Sequence, residues 1–231
     1  MKGAFAAASA LAALIQHTSA NNDVVTLVTK DDVYITEAVA TLVVGNIPNP
    51  ITGDVALWSA IMLDGEDFLQ GVTQNGPAGS GYCDNLGKNW CNFAYTLVET
   101  LISGTTPEVG KAVPTTPGSL IKTHYKLNPT TTKWDQDLYI NGTLVSSVST
   151  SKGQKGNIFY VSIECSSGTC ATAPAHKWED ISIVLSKADQ SFGTTESWQF
   201  GATGGKMSTA DSGKTWNFTT LSVPDTPVSV G

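Results

Sequence analysis

Short runs of alternating apolar and polar residues constrain the fold of this chain more than any other feature. About eleven such runs are rich in Val, Thr and Ile, as expected for strands with a half-buried face. Turn signals such as "NIPNPITGD", "NGPAGSG" and "SKGQKG" separate them. The pattern predicts an all-β domain of two packed antiparallel sheets, in preference to a closed barrel. The long stretch from Gly104 to Gly118 is expected to cross between the sheets.

The first twenty residues predict a secretory signal peptide. Lys2 precedes the apolar run "AFAAASALAALI", and the small residues Ser19 and Ala20 suit cleavage by signal peptidase. The run is too short to span a bilayer, and no later stretch is long and apolar enough to do so. We therefore expect residues 1–20 to be removed and residues 21–231 to form one secreted β-sandwich domain with a core of its own.

The chain is acidic, with a formal net charge of -7 at pH 7. This charge disfavours nucleic acids and anionic membranes as partners, because both are themselves negatively charged. An acidic chain with few ionisable residues is also compatible with an acidic medium. We expect a monomer that acts on or binds a protein, a peptide or a polysaccharide.

All four cysteines follow residue 20. Disulfides are the default in an oxidising compartment, and four cysteines allow three connectivities. Proximity in sequence favours Cys83–Cys91 and Cys165–Cys170. Each bridge would close a short loop, for which a stabilisation of about 2–3 kcal/mol is expected.

Two sequons fit the same secretory route and predict a glycoprotein. Asn141-Gly142-Thr143 lies where Asn-Gly between two alternating runs is typical of a hairpin turn. Asn217-Phe218-Thr219 lies within a strand-like run. The hairpin position is the more exposed of the two by this interpretation.

The usual catalytic and metal-binding motifs are absent from the sequence. There is no Gly-x-Ser-x-Gly elbow, phosphate-binding glycine loop or His-Glu-x-x-His pattern. Only His124 and His176 remain after residue 20, and we expect structural or surface roles for both. Asp64, Glu66 and Asp67 are typical of a charged loop rather than of a calcium site. We therefore expect no metal and no other cofactor.

Two strand-like segments carry polar side chains in line on one face. In "GEDFLQGVTQNG" the period of two places Gln70 and Gln74 on the same face. In "NIFYVSIEC" it places Tyr160, Ser162 and Glu164 on one face, and the alternate positions are all apolar. Such a polar line is typical either of a sheet that lines a cleft or of a wet outer face.

The order of the segments resembles that of the fungal glutamic peptidases, the eqolisin family. That family runs through "SAWVGIDG"-like, "ILQTGVD"-like and "AEWIVED"-like strands, and "ALWSAIMLDG", "DFLQGVTQN" and "NIFYVSIEC" occupy those places here. The resemblance covers nearly the whole of residues 21–231 and is sharpest at Trp58 and from Leu69 to Val72. It implies a secreted, acid-active β-sandwich of concanavalin A-like, jelly-roll architecture.

The resemblance also implies a catalytic dyad. In the family a glutamate acts as general base on a water, and a glutamine amide helps to hold that water and the oxyanion. Carried over, the glutamine is Gln70. Tyr160 takes the place of the catalytic glutamate, and Glu164 lies on the same face, about 13 Å farther along the strand. We assign Glu164 as the acid partner of Gln70.

Three functions follow as hypotheses. The first is an acid endopeptidase with a Gln70–Glu164 dyad. The second is a non-catalytic module that binds glycan or cell wall, for which the six tryptophans offer stacking surfaces. The third is a glycoside hydrolase or lyase on the same sandwich. Hydrolysis of that kind requires two carboxylates across a cleft, and sequence spacing identifies no partner for Glu164.

Overall fold

A computed structural model describes residues 21–100, 104–194 and 198–228. The described residues form sixteen strands and one short 3₁₀ turn, Phe192–Thr194. In chain order the strands are β1 (Asn21–Val28), β2 (Ile35–Val43), β3 (Asp54–Leu63), β4 (Phe68–Asn75), β5 (Trp90–Thr100), β6 (Gly104–Val109), β7 (Val113–Thr115), β8 (Leu120–Leu127), β9 (Trp134–Ile140), β10 (Thr143–Thr150), β11 (Gly156–Ser167), β12 (His176–Leu185), β13 (Thr203–Gly204), β14 (Met207–Ser208), β15 (Thr215–Phe218) and β16 (Leu221–Val223). Within these ranges no helix is long and apolar enough to cross a membrane. The predicted signal peptide lies outside the described residues.

The strands form two antiparallel sheets that pack face to face. The first has the order β1-β11-β3-β4-β5, and both β6 and β7 pair with β5. The second has the order β10-β9-β8-β2-β12, and β15 and β16 extend it beyond β12. The sheets join at one edge, where Gly156 pairs with Ile35. The prediction of an all-β sandwich is confirmed.

The main core fills the space between the two sheets. The apolar face predicted for β11 lies there, since Phe159, Val161 and Ile163 are fully buried in the cluster. Fully buried side chains of both sheets surround them; they include Leu42, Leu57, Ile61, Leu138 and Ile183. The period of two in β11 therefore leaves its polar face, with Glu164, on the far side of the first sheet.

A buried tyrosine hydroxyl joins the two sheets. The Tyr125 hydroxyl, on β8, donates to the Ser59 carbonyl at 2.5 Å and accepts from the Gly71 N–H at 2.8 Å. Ser59 and Gly71 are register partners on β3 and β4. One phenol thus bridges two strands of the opposite sheet. A second contact between the sheets lies beside it, where the Gln136 side-chain amide on β9 donates to the Gln70 backbone carbonyl on β4.

Position 71 must be glycine for this approach to occur. A Cβ built there would lie 2.0 Å from Oγ1 and 2.6 Å from Cγ2 of Thr123, a neighbour of Tyr125 on β8. No side chain could fit without moving β8 away from β4. The glycine therefore sets how closely the sheets pack at the centre of β4.

Both predicted disulfides are present. Cys83–Cys91 connects the loop after β4 to the start of β5, with a Cα–Cα distance of 5.8 Å. Cys165–Cys170 connects the end of β11 to the loop that follows, with a Cα–Cα distance of 5.7 Å. The bridges account for all four cysteines, and nearest-neighbour pairing was the correct choice among the three connectivities.

The segment from Gly104 to Gly118 differs from the crossover loop expected there. Most of it forms β6 and β7, which both pair with β5 within the first sheet. Only residues 116–119 carry the chain across to β8 in the second sheet. The sequence pattern missed these strands because β6 is exposed and carries a glycine and a proline, which are depleted in strands.

We expect Tyr125→Phe to lower the free energy of unfolding by about 1–3 kcal/mol, because it leaves the buried Gly71 N–H and Ser59 carbonyl without their partner. Urea unfolding of both proteins measures the difference. Tyr139→Phe is the control, since its ring lies on the outer face of β9 beneath the Lys122 ammonium, and it should change stability by less than about 0.5 kcal/mol. Equal losses in the two variants would contradict the bridging role.

Candidate active site

A groove lies on the face of the first sheet that points away from the core. Its volume is about 620 Å³, and strands β1, β3, β4, β5 and β11 contribute to its lining. A second apolar cluster forms its floor; this cluster includes Ala56, Trp58, Ala60, Val72 and Phe93. Both residues predicted as catalytic, Gln70 and Glu164, line this groove. The polar faces of β4 and β11 are therefore walls of a cleft rather than wet outer faces.

The strand register arranges the groove in rows that run across the strands. The Gln70 row consists, in order, of Tyr160, Ala60, Gln70 and Tyr95. The Trp58 row consists of Ser162, Trp58, Val72 and Phe93. The Glu164 row consists of Glu164, Ala56, Gln74 and Cys91.

Gln70 and Glu164 share the groove but not a row. Four residues separate their rows along each strand, which corresponds to about 13 Å. Tyr160 occupies the position in the Gln70 row that the family resemblance assigns to a catalytic glutamate. The amide that lies across from Glu164 in its own row is that of Gln74, with only the methyl group of Ala56 between them.

The Gln70 side chain is nearly buried but keeps a free amide. It is 6% exposed and lines the groove. Among the described residues, no hydrogen bond engages its side-chain amide, and the bridge from Gln136 ends on its backbone carbonyl. Neither polar atom of the Gln70 side chain is among the fully buried atoms that lack a partner, so the amide reaches the groove and is available to hydrogen-bond a ligand.

Glu164 is held by a tryptophan of the neighbouring strand. The Trp58 Nε1–H donates to Glu164 Oε2 at 2.9 Å. Burial raises the pKa of the Glu164 carboxyl, the Trp58 hydrogen bond lowers it, and the nearby charge of Asp54 raises it again. A carboxyl with a raised pKa in a cleft is typical of a general acid or base.

Asp54 and Gln74 form a hydrogen-bonded pair beside Glu164. The Gln74 Nε2 donates to Asp54 Oδ2 at 3.3 Å. Burial raises the pKa of the Asp54 carboxyl, and the nearby Ser166 hydroxyl, which donates to the Asp54 backbone carbonyl, opposes that rise. Asp54 was not among the residues predicted from the sequence, although its spacing from Ala56 and Trp58 at period two places all three on one face of β3.

A third carboxyl lies near the opposite wall of the groove. Asp23, on β1, accepts a hydrogen bond from the Ser162 hydroxyl, and burial raises its pKa while that bond lowers it. The described residues that line the groove include acids, phenols and amides but no lysine or histidine. The groove is therefore an acidic surface, and removal of residues 1–20 would leave the α-ammonium of Asn21, which pairs with Glu164, at its edge.

Aromatic rings form two clusters along the groove. Trp58, Phe68 and Tyr160 pack edge to face, with ring centroids 5.5–6.4 Å apart. Phe93, Tyr82 and Tyr95 form the second cluster, with centroids 4.8–6.1 Å apart.

The second aromatic cluster offers tyrosine side chains to a ligand. Tyr82 is 49% exposed, so one wall of the groove offers a phenol to a ligand. Burial is the main cause that raises the pKa of Tyr95 to about 12, which keeps its hydroxyl protonated. Of the six tryptophans, Trp58 alone lies among the described residues of the groove lining.

The histidines, Asp64 and Asp67 lie away from the groove, whereas Glu66 lines it. His124 Nε2 contacts Glu37 at 2.7 Å on the second sheet. His176 is buried, donates from Nδ1 to the Pro174 carbonyl, and has a pKa lowered to about 4 by burial. Asp64 and Asp67 accept hydrogen bonds from backbone N–H groups of residues 155 and 99. The described residues contain no group of three or more acidic, cysteine or histidine side chains that could hold a metal.

Comparison with known proteins gives matches among solved structures only. No family model matches the chain, and no curated protein matches it. A similar solved structure is that of SCP-B, a member of the eqolisin family of peptidases, in a complex with the tripeptide Ala-Ile-His. It is 14% identical, with a TM-score of 0.49, and the match covers 87% of this chain and 98% of that chain.

We expect Trp58→Phe to raise the pKa of Glu164, because the indole N–H stabilises the ionised carboxylate and phenylalanine has no donor. The measurement is a ¹³C NMR titration of glutamate carboxyl groups, with the Glu164 signal assigned by its loss in Glu164→Gln. Trp198→Phe is the control, since Trp198 donates to the Gly204 carbonyl instead. An unchanged or lowered Glu164 pKa in Trp58→Phe would contradict this account of the site.

Proposed function

We propose that this protein is a secreted endopeptidase that works at acid pH, with Glu164 as the general base. The observation that carries the proposal is the half-buried Glu164 carboxyl in an acidic, aromatic groove that also presents a free amide. The two disulfides support an oxidising, extracellular setting.

In the proposed reaction, the ionised Glu164 accepts a proton from water while the water oxygen attacks the carbonyl carbon of a peptide bond. Negative charge then develops on the carbonyl oxygen, and amide N–H groups that point at it lower the barrier. A base of this kind acts when it is ionised. Because burial raises the pKa of Glu164, activity should increase with pH up to a higher value than an exposed glutamate would give.

Gln70 contributes the amide that the family resemblance implies. Its free N–H groups are placed to donate to a carbonyl of a bound chain, and the phenols of Tyr95 and Tyr160 lie in the same row. An extended chain that lies along the strands would contact the Gln70 row at one point and Glu164 about 13 Å farther on. The absence of lysine and histidine from the described groove lining favours neutral or basic peptides over acidic ones.

A glycan-binding module is the second candidate function. The observation that favours it is the cluster around Tyr82, whose exposed ring could stack on a sugar. This function needs no general base, so the same variants separate the two candidates.

We expect the purified protein to cleave an unfolded protein substrate with an optimum in acid, and Glu164→Gln to abolish that cleavage while leaving thermal unfolding intact. Glutamine keeps the shape of the side chain but cannot accept the proton. Glu37→Gln is the matched control, since Glu37 lies on the second sheet beside His124. Acid cleavage that persists in Glu164→Gln would refute the proposal, and binding of β-glycan without any hydrolysis would favour the module.

Gln70→Ala tests the amide separately. We expect kcat/KM to fall at least about tenfold, the equivalent of about 1.4 kcal/mol of lost substrate or transition-state binding. A loss of about 10²–10³ in kcat would mark Gln70 as the donor to the reacting oxyanion. A rise in KM at constant kcat would mark it as a contact to another carbonyl of the chain. No change in either constant would exclude Gln70 from the site.

A further inference from the structure

We propose that Asp54 is a further catalytic residue, which shares one proton with Glu164 and supplies it to the carbonyl oxygen of the substrate. This inference rests on the proposed hydrolytic function. The two residues are called the carboxyl pair below. Three observations support it: the placement of the pair across β3 and β11, an unpartnered oxygen of Asp54, and the lack of a lysine or histidine side chain in the described groove lining.

The register brings the two carboxyl groups to one end of the groove. Glu164 lies opposite Ala56, and Asp54 lies two residues before Ala56 on the same face of β3. Diagonal neighbours of this kind have Cα atoms about 7–8 Å apart, within reach of an aspartate and a glutamate that both extend over the face. Both side chains line the groove, and the small Ala56 leaves space between them.

One oxygen of Asp54 has no partner. The side chain is 5% exposed, Oδ2 accepts from Gln74, and the buried Oδ1 has no hydrogen bond. A buried carboxylate with an unsatisfied oxygen is unfavourable, whereas the protonated acid carries no charge and gains an O–H donor. This geometry favours the protonated form of Asp54, and burial raises its pKa in the same direction.

Gln74 is a positioning residue for Asp54. The loop after β4 closes over both side chains, and a Cβ at Gly81 would lie 1.7 Å from Gln74 Nε2. Gly81 has a φ of +71°, which further restricts the position to glycine. The Cys83–Cys91 disulfide ties this loop to β5. The loop after β4 thus keeps the Gln74 amide directed at Asp54. The Asp54 carboxyl is therefore oriented by a protein hydrogen bond and not by solvent.

No lysine or histidine side chain among the described residues lines the groove beside the carboxyl pair. The titratable side chains that line the groove from neighbouring strands and loops are Asp23, Glu66, Tyr82, Tyr95 and Tyr160. Removal of residues 1–20 would add the α-ammonium of Asn21, which pairs with Glu164 from β1; that charge would favour ionised Glu164 and leave the proton on Asp54, which lies on the other side of Glu164 on β3. If both members of the pair were ionised, two like charges would face each other in a partly buried site. Retention of one proton by the pair avoids that repulsion, as in other adjacent carboxyls of protein sites.

The proposed step uses both members of the pair. Glu164 accepts a proton from water as the new C–O bond forms, and the proton of Asp54 moves to the carbonyl oxygen as the C=O π bond breaks. The neutral geminal diol then returns a hydroxyl proton to Asp54, while Glu164 gives its proton to the leaving nitrogen and the C–N bond breaks. One water is consumed, and the pair again holds one proton. Loss of that proton at higher pH explains why the proposed activity fades toward neutral pH.

The first experiment tests the pair without an activity assay. Carboxyl ¹³C NMR titrations are recorded for the wild type, Asp54→Asn, Glu164→Gln and the control Asp137→Asn, which lies on β9 of the second sheet and accepts from Ser147. We expect each single variant to lower the pKa of the remaining member of the pair, and Asp137→Asn to change neither. A Glu164 pKa unchanged by Asp54→Asn, together with an Asp54 pKa unchanged by Glu164→Gln, would overturn the inference.

Thermal unfolding against pH gives a second readout of the same proton. A carboxyl whose pKa is higher in the folded than in the unfolded state contributes stability that is complete at low pH and is lost as pH rises through the folded-state pKa. We therefore expect the Tm of Asp54→Asn, relative to the wild type, to increase from acid toward neutral pH. A difference in Tm that stays constant with pH would count against a proton held on Asp54.

Measurement of kcat in the same variants distinguishes this inference from the proposed function. We expect Asp54→Asn to lower kcat by about 10²–10⁴, the range for loss of a general acid, and to remove the decline toward neutral pH from any residual rate. Wild-type cleavage that Glu164→Gln abolishes but Asp54→Asn leaves intact would overturn the role of Asp54 and retain the peptidase. If the wild type hydrolyses a β-glycan and not protein, and both variants lose that activity, the carboxyl pair would still act as proton donor and acceptor. The proposal of a peptidase would then be wrong.

Discussion

The Tyr125 hydroxyl fixes the part of the fold on which the groove depends. Its bonds to Ser59 and Gly71 hold β3 and β4 in one register against the second sheet. Because strands alternate with period two, fixing Gly71 toward the core fixes Gln70 toward the groove. A slip of one residue in β4 would turn Gln70 and Gln74 into the core and Leu69 and Thr73 into the groove. The close approach of Thr123 to Gly71 reinforces this choice, since no other residue fits there.

The groove combines burial with an excess of acids, and these two features favour the same protonation state. Asp23, Asp54 and Glu164 all have pKa values raised chiefly by burial, and no lysine or histidine lies among the described lining residues to oppose the effect. A protein that works in acid can keep such carboxyls partly protonated. At neutral pH the same groups would ionise close to one another in the partly buried groove, so stability, and with it the proposed activity, should decline there.

Local features of the fold were predictable from the sequence, whereas pairings between distant strands were not. Alternation identified the inward face of β11 and the groove face of β4, and cysteine proximity identified both disulfides. The rows of the groove depend on register between segments as distant as β4 and β11, about which a single sequence contains little information. For this reason alternation alone could place Gln70 and Gln74 on one face of β4 and Glu164 on the polar face of β11, but it could not bring Asp54 and Gln74 beside Glu164.

The register also changes what the resemblance to glutamic peptidases implies for this chain. Tyr160, a phenol, occupies the row of Gln70, so that row contains no carboxyl from β11. The nearest carboxyl on the same strand lies four residues away, at Glu164, beside the Asp54 carboxyl and the Gln74 amide. In a site arranged this way, substrate binding and proton transfer would take place in different parts of the groove. The phenols and the free amide around Gln70 would bind the backbone of an extended chain, and proton transfer would take place about 13 Å away, a span of about four residues. Binding energy from that remote contact could then hold the reacting bond against the carboxyl pair.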